Sequence, residues 1–433
     1  MPRFSRRGPG LAAAFGPALM LSWLAGACAP TRTPAPVPPP RAPELPAVRP
    51  APSEPDECLV RPAGPPGADT IRVLAGPAFA SRQLYETLIR VDCAGRPRPG
   101  LAQSWTSPDG GRTWGFVLRP ARFWDGTAVT AEAVAAAWTR DSATVALLRR
   151  AGILFVTAGS EGELRMLLAL PRDSIPALLA DPRLAIGRRS PDLAWPLGTG
   201  AYRLPEADPA PATLESTDAG RPLRLLPPPA DLRDAVDAGA DLIVTEDPAA
   251  LAYAAARAEL ASIALPWSRT YALVLAVPPE SAAVAATAGF RESLARDVVR
   301  VDARAAAPAT PEPACPPPSR GAPHPFRSGA RIAYPTADRT ARDLAARLVA
   351  VGVGRTIIPL DSAPLLASLR EGRETGYVLS LPRTLIPCDN LQLPPGASLV
   401  PLVETRAHAI VRRGVPPMTV DWDGTLRLLP ETP

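Results

Sequence analysis

Residues 84–138 constrain the fold more tightly than any other stretch of this chain. They read LYETLIRVDCAGRPRPGLAQSWTSPDGGRTWGFVLRPARFWDGTAVTAEAVAAAW. Turns, strands and a helix follow one another there in a set order. Leu84, Leu88 and Ile89 share one side of a helical repeat, so the spacing predicts a short helix along RQLYETLIR. Cys93-Ala94-Gly95 and Pro99-Gly100 carry turn chemistry. Pro108-Asp109-Gly110-Gly111 is a strong reversal signal, because Asp bonds its own backbone and Gly accepts positive φ. Ala102–Trp105 and Thr113–Leu118 flank it and read as the strands of a hairpin. Asp125-Gly126 marks another tight turn. Thr130 then caps a helix, with Glu132 in the first turn where the dipole favours an anion. Val134, Ala137 and Trp138 supply its buried side, and Trp105, Trp114 and Trp124 read with Trp138 as core residues.

Composition removes several function classes. The charge balance is 47 basic against 42 acidic residues, and no basic cluster alternates with aromatics, which argues against a nucleic-acid partner. There are 2 histidines, no Gly-x-Ser-x-Gly and no His-Glu-x-x-His, so an enzyme is not expected. A metal site is not expected either, since the 5 cysteines are scattered and only His324 and His408 stand beside them. Nothing calls for a cofactor. At the N-terminus, Arg3, Arg6 and Arg7 precede an apolar run from Leu11 to Leu24, then Ala25-Gly26-Ala27 and Cys28. That is an export signal over 1–27. Leu24–Cys28 also approximates a bacterial lipobox, which makes Cys28 a lipidation site; ordinary cleavage before Cys28 is the alternative. Pro30–Pro55 is Pro/Ala-rich without periodicity and reads as an extended tether within 28–64. A second Pro-rich break, Ala305–Pro325, reads as an exposed loop. Residues 65–433 suffice for two lobes with separate cores.

The order Leu84-Tyr85-Glu86, Pro99-Gly100-Leu101-Ala102, Ser104-Trp105, Leu118-Arg119, Phe123-Trp124-Asp125-Gly126, Thr130-Ala131-Glu132 and Trp138 closely resembles the extracytoplasmic solute-binding proteins of family 5. Those are the peptide, dipeptide and nickel receptors of ABC importers. Ala133 departs from the family's usual acidic residue. Weaker matches follow in order: Pro196–Leu204 like a GTG-Y turn and strand, Asp237–Leu242, Tyr271–Leu275, Phe290–Arg296, Leu344–Val353, Ile357–Asp361, Val400–Leu402, Val411–Val415 and Asp423–Leu426. The glycines of Pro196–Leu204 are a turn at a strand entry, because no Lys-Ser/Thr follows to make a phosphate loop.

The resemblance implies an α/β, two-lobe periplasmic-binding-protein-like fold (type II) whose first lobe is discontinuous. Lobe one would comprise 65–268 and 396–433, and a reduced lobe two 269–395. Function would be capture of a small solute by hinged closure and delivery to an ABC permease, without catalysis. The location would be the periplasm or cell surface, with a lipid-anchored monomer. The alternative is a degenerate scaffold serving as a sensory or interaction lipoprotein. Keeping each pair inside one lobe implies disulfides Cys58–Cys93 and Cys315–Cys388, with free buried thiols as the alternative. The residues implied at the ligand are Gly76 and Pro77 after the first strand, Trp267, Arg269 and Tyr271 at the crossing strand, and Arg383. Arg383 would take a carboxylate or phosphate in two hydrogen bonds; a solvated loop arginine is the other reading. A plain turn and a packed hinge strand are the corresponding alternatives for the others. The chain is shorter than the family's usual length. The stretch that gives peptide receptors an aromatic wall and an amine-binding Asp has no match in register, Asp389 standing about three positions away. That puts the usual peptide anchor in doubt.

Overall fold

Burial on both faces of two open sheets sets the architecture. The computed structural model describes residues 56–65, 67–159, 162–190, 193, 195–205, 212–218, 220–275, 283–306, 331–385, 393 and 397–430. They fall within one unit, Arg49–Pro433. The export segment, Cys28, most of the tether, Cys315, His324, Cys388, Asp389 and nearly all of the Pro-rich loop lie outside the described residues.

The first sheet has seven strands in the order Leu260–Ala264, His408–Arg412, Leu242–Thr245, Ile71–Leu74, Leu223–Leu225, Thr213–Ser216 and Tyr202–Arg203. Ile71–Leu74 runs parallel to both its neighbours, and the outer strands are antiparallel. Alternation divides its side chains between two cores. Ile71, Val73 and Leu242 face one cluster with Phe79 and Leu426, while Leu74, Ile243 and Ile410 face another with Val236 and Ala250. The second sheet has six strands in the order Ala303–Ala305, Ser398–Thr405, Arg269–Leu275, Gly376–Pro382, Arg331–Pro335 and Thr356–Leu360. Leu273 and Leu275 face helix Arg339–Ala350, and Val274 faces the cluster of helix Ser362–Glu371. Continuous burial from Tyr271 to Leu275 is what a strand covered on both sides requires.

Strand Ser398–Thr405 pairs with Arg269–Leu275 along its length. It therefore belongs to the second sheet, whereas the sequence reading of 396–433 had put it with the first. The chain returns to the first sheet only at Arg406-Ala407. Its antiparallel ladder with the crossing strand has no counterpart in local sequence.

The segment that opened the sequence reading builds a four-stranded antiparallel sheet, Ala102–Thr106, Thr113–Leu118, Leu164–Leu168 and Ile153–Ala158. In the hairpin turn, Asp109 Oδ1 accepts from the Thr113 amide at 2.7 Å, and Gly110 and Gly111 hold φ of 67° and 97°. Thr130 Oγ1 accepts from the Ala133 amide at 3.2 Å and starts helix Ala131–Arg140. Trp114, Trp124 and Trp138 each donate the indole N–H to a backbone carbonyl, of Arg172, Gly200 and Leu184 respectively. Each ring thus packs without an orphaned donor. One expectation fails here. The helix lies at Pro77–Leu84, not across RQLYETLIR; Glu86 pairs with Ile186 in a bridge and Ile89–Val91 is a strand. Leu88 and Ile89 are both fully buried in the same core, and extended backbone carries them into it together.

The Pro196–Leu204 glycines are a close-approach device. A Cβ on Gly200 would come within 2.1 Å of the Gln83 carbonyl oxygen, and one on Gly198 within 2.1 Å of the Leu84 oxygen. Only hydrogen fits where this turn rests on the end of helix Pro77–Leu84. Cys58 and Cys93 form a disulfide across 35 residues. Two outcomes follow. Gly200→Ala should lose roughly 3 kcal/mol in urea denaturation, the upper part of the range for forced overpacking. Cys58→Ser should lose about 2–4 kcal/mol, and the same loss should follow reduction of the wild type but not of the variant.

Candidate functional site

The C-terminal ends of parallel strands from both sheets face a common space. Ile71–Leu74 delivers Ala75, Gly76 and helix Pro77–Leu84; Leu242–Thr245 delivers Glu246; Arg331–Pro335 delivers Ala337, Asp338 and helix Arg339–Ala350. Ligand crevices of open α/β sheets form at such ends, where loops diverge and helix N-termini point inward. Here they line a cleft of about 800 Å3, completed by Leu265, Ser268, Arg269, Tyr271 and the 423–426 turn. A smaller groove of about 410 Å3 shares the Leu265, Ser268 and Arg269 wall. Trp267, Arg304, Arg383, Glu404 and Arg406 line it, with Val60, Cys93 and Val420 as its apolar part.

The six sequence candidates divide between these spaces. Gly76 and Tyr271 line the cleft, Trp267 and Arg383 the small groove, and Arg269 both. Pro77 opens its helix between the lining residues Gly76 and Ala78 but is not itself in the wall. Tyr271 is almost fully buried, so its ring is packing and its hydroxyl is the part that meets the cleft. The hydroxyl donates to the Asp338 carboxylate, 3.2 Å from each oxygen. Burial, reinforced by the Asp338 and Glu246 charges, pushes its pKa up to about 12. Trp267 has the guanidinium carbons of Arg304 and Arg406 each 4.6 Å from its ring centroid. Arg269 Nε lies 3.5 Å from Glu246 Oε1. The Arg383 amide donates to the Ser268 carbonyl at 2.8 Å, and its guanidinium lies over Trp422 and reaches the Trp422 carbonyl at 3.3 Å.

Asp338, Arg339, Glu246 and Asp423 were not foreseen. Two of them carried a readable signal. Tyr334-Pro335-Thr336-Ala337-Asp338 is a strand end followed by a helix cap, and Asp338 does cap, accepting from the Ala341 amide at 2.9 Å. Glu246 precedes Asp247-Pro248, another cap, whose Oδ1 accepts from Ala249 at 2.8 Å. Asp423 gave none, because its partner Arg82, at 2.8 Å, stands 341 residues earlier. Among the described residues no group of three or more His, Cys, Asp or Glu is placed to hold a metal ion.

Two α/β sheets joined by adjacent crossing segments, with a cleft at the strand ends, are the architecture of a periplasmic-binding-protein-like fold. Residues 96–218 match the family model for bacterial extracellular solute-binding proteins, family 5. That match is confined to this segment, and the likeness to solved family 5 structures extends to the fold. The periplasmic oligopeptide-binding protein OppA of Escherichia coli K12 is 44% identical over 61 residues, which span 14% of this chain and 11% of that protein. NikA from Brucella suis, solved with Fe(III)-EDTA, superposes with TM-score 0.63 at 15% identity, covering 84% of this chain and 100% of NikA. The dipeptide-binding protein from Pseudoalteromonas sp. SM9913, solved with Met-Leu, gives 0.60 at 14% identity, covering 82% and 98%.

The raised Tyr271 pKa has a definite pH signature. The unfolded chain releases this proton near pH 10 while the folded chain keeps it to about 12. The hydroxyl's contribution is therefore complete below pH 10 and is lost as pH rises towards 12. Tyr271→Phe should flatten that alkaline decline in denaturation curves taken from pH 9 to 12. An unchanged slope would mean that the hydroxyl is not held as described.

Proposed function

We propose that this chain is an extracytoplasmic receptor that captures a small solute in the 800 Å3 cleft and hands it to an ABC permease. The cleft's position is the observation that carries the reading. Its walls come from both lobes, and the two crossing segments, 265–268 and 405–407, run along its base. Turning about those segments brings Gly76 and Glu246 towards Asp338 and Arg339 and encloses whatever lies between them. The relatives support the same role, since several were solved with a small molecule bound, among them Fe(III)-EDTA and a dipeptide. On this reading lobe one is 65–268 with 406–433 and lobe two is 269–405. Gly76, Arg269 and Tyr271 then meet solute in the cleft, and Arg383 meets the part of it that extends into the adjoining groove. Trp267 is the groove's flat apolar floor, and Pro77 fixes the helix entrance beside Gly76.

The export signal, Cys28 as lipid anchor and the Pro-rich tether complete the proposal. They hold a monomeric receptor at the outer side of the membrane while leaving it free to swing to its permease. A sensory scaffold without ligand draws no support from these relatives.

A thermal-shift screen of the full chain against di- to hexapeptides, amino-acid derivatives, dicarboxylates and nickel chelates tests the receptor role. A true ligand at a hundredfold its Kd should add about 2.7 kcal/mol of stability. It should also shrink the radius of gyration in small-angle scattering. No response from any compound in either measurement would defeat the proposal.

A further inference from the structure

The ionic bookkeeping of the two spaces is one-sided. Every described acid that lines them is already engaged. Glu246 faces Arg269 at 3.5 Å, Glu404 faces Arg304 at 2.6 Å, and Glu57 faces Arg96 at 3.2 Å. Asp423 faces Arg82 at 2.8 Å, and Asp338 is taken by the Tyr271 hydroxyl and the Ala341 amide. Among the lining arginines, Arg406 is matched by Asp302 at 2.8 Å. Two are left. Arg339 in the cleft and Arg383 in the small groove are exposed, and neither has a carboxylate partner among the described residues. The wall between them is the shared one, Leu265, Ser268 and Arg269. At the cleft's other side Gly76 caps helix Pro77–Leu84 without a side chain, so no side chain occupies that helix N-terminus.

We infer that the solute is an anion, whose carboxylate or phosphate groups are taken by Arg339 in the cleft and by Arg383 in the adjoining groove. This rests on the receptor reading and narrows it. A guanidinium fork without a carboxylate partner suits planar oxyanions in two parallel hydrogen bonds. A cationic solute would find four of the five lining acids already ion-paired, Asp338 holding only neutral donors, and would stand against two arginines without carboxylate partners. A neutral solute would leave both guanidinium groups unmatched on closure, when water is squeezed from the cleft.

Isothermal titration of the full chain with succinate, citrate and inorganic phosphate tests the inference, with succinamide and trialanine as comparisons. At least one anion should bind and weaken as ionic strength rises, and succinamide should not bind. Arg383→Ala and Arg339→Ala should each weaken that anion about tenfold or more, the usual range for a lost charge-assisted hydrogen bond. Arg383→Lys should recover only part of the loss, because an ammonium keeps charge without the fork. Both arginines are exposed, so unliganded melting temperatures should stay at the wild-type value and separate a binding defect from a folding defect. Equal binding of succinate and succinamide, or wild-type anion affinity in both alanine variants, overturns the inference. Binding of succinamide with no anion bound overturns it too, while leaving the receptor reading intact. Silence from every probe and from the broader panel overturns both.

Discussion

Two neighbouring crossings of the chain hold everything else in place. The Leu265 amide donates to the Ala407 carbonyl at 3.0 Å, and the Ser268 amide to the Thr405 carbonyl at 3.4 Å. On one side these segments continue into Leu260–Ala264 and His408–Arg412, which pair in the first sheet. On the other they continue into Arg269–Leu275 and Ser398–Thr405, which pair in the second. A bend confined to 265–268 and 406–407 therefore breaks no ladder bond in either sheet. Two rails restrict motion more than one would, since twisting about the long axis would shear the pair apart. Asp302 adds a polar tie at this point, accepting from Arg406 at 2.8 Å and lying 3.3 Å from His408 Nε2. Asp302 leads into the second sheet, while His408 starts a strand of the first.

Buried charge fixes the floor beneath the cleft. Arg82 is nearly sealed from water, yet its guanidinium reaches Asp423 at 2.8 Å and Asp421 at 3.7 Å. Burial alone would lower the arginine's pKa; the two carboxylates outweigh it and leave it raised. Arg90 adds a contact to Asp421 at 3.1 Å. Removing one partner of such a set leaves an uncompensated charge in the interior, which is far more damaging than losing an exposed pair. The turn that carries Asp423, Gly424 and Thr425 into the cleft is thus held from below by charge as well as by packing.

What the sequence disclosed follows the range of the physics involved. The hairpin at 102–118 and the Thr130 cap were legible because each rests on contacts a few residues apart, and the strand at Tyr271 was legible through the family resemblance. The Gly198 and Gly200 turn was legible as a turn, although the reason for its glycines, the carbonyls of Gln83 and Leu84, was not. The helix expected over RQLYETLIR failed because a helical spacing of three apolar residues also fits extended backbone buried on both faces. Strand Ser398–Thr405 was assigned to the wrong sheet since nothing local says which neighbour it will choose. At the site, βα loop chemistry pointed to Gly76 and Pro77 and the crossing strand to Arg269, while the loop chemistry at Asp338 and Glu246 went unread. Asp423 lay beyond reach, its partner being hundreds of residues distant.

Gln83 is where that distance has its largest effect. Its side-chain amide donates to the Leu426 carbonyl at 2.8 Å, and its oxygen accepts from the Leu428 amide at 3.1 Å, across 343 and 345 residues. Gln83 is synthesised 343 residues before Leu426, which satisfies it. Until that strand arrives, helix Pro77–Leu84 has an apolar flank and a side-chain amide without their partners, so this part of the fold closes late and only when two distant stretches of chain meet.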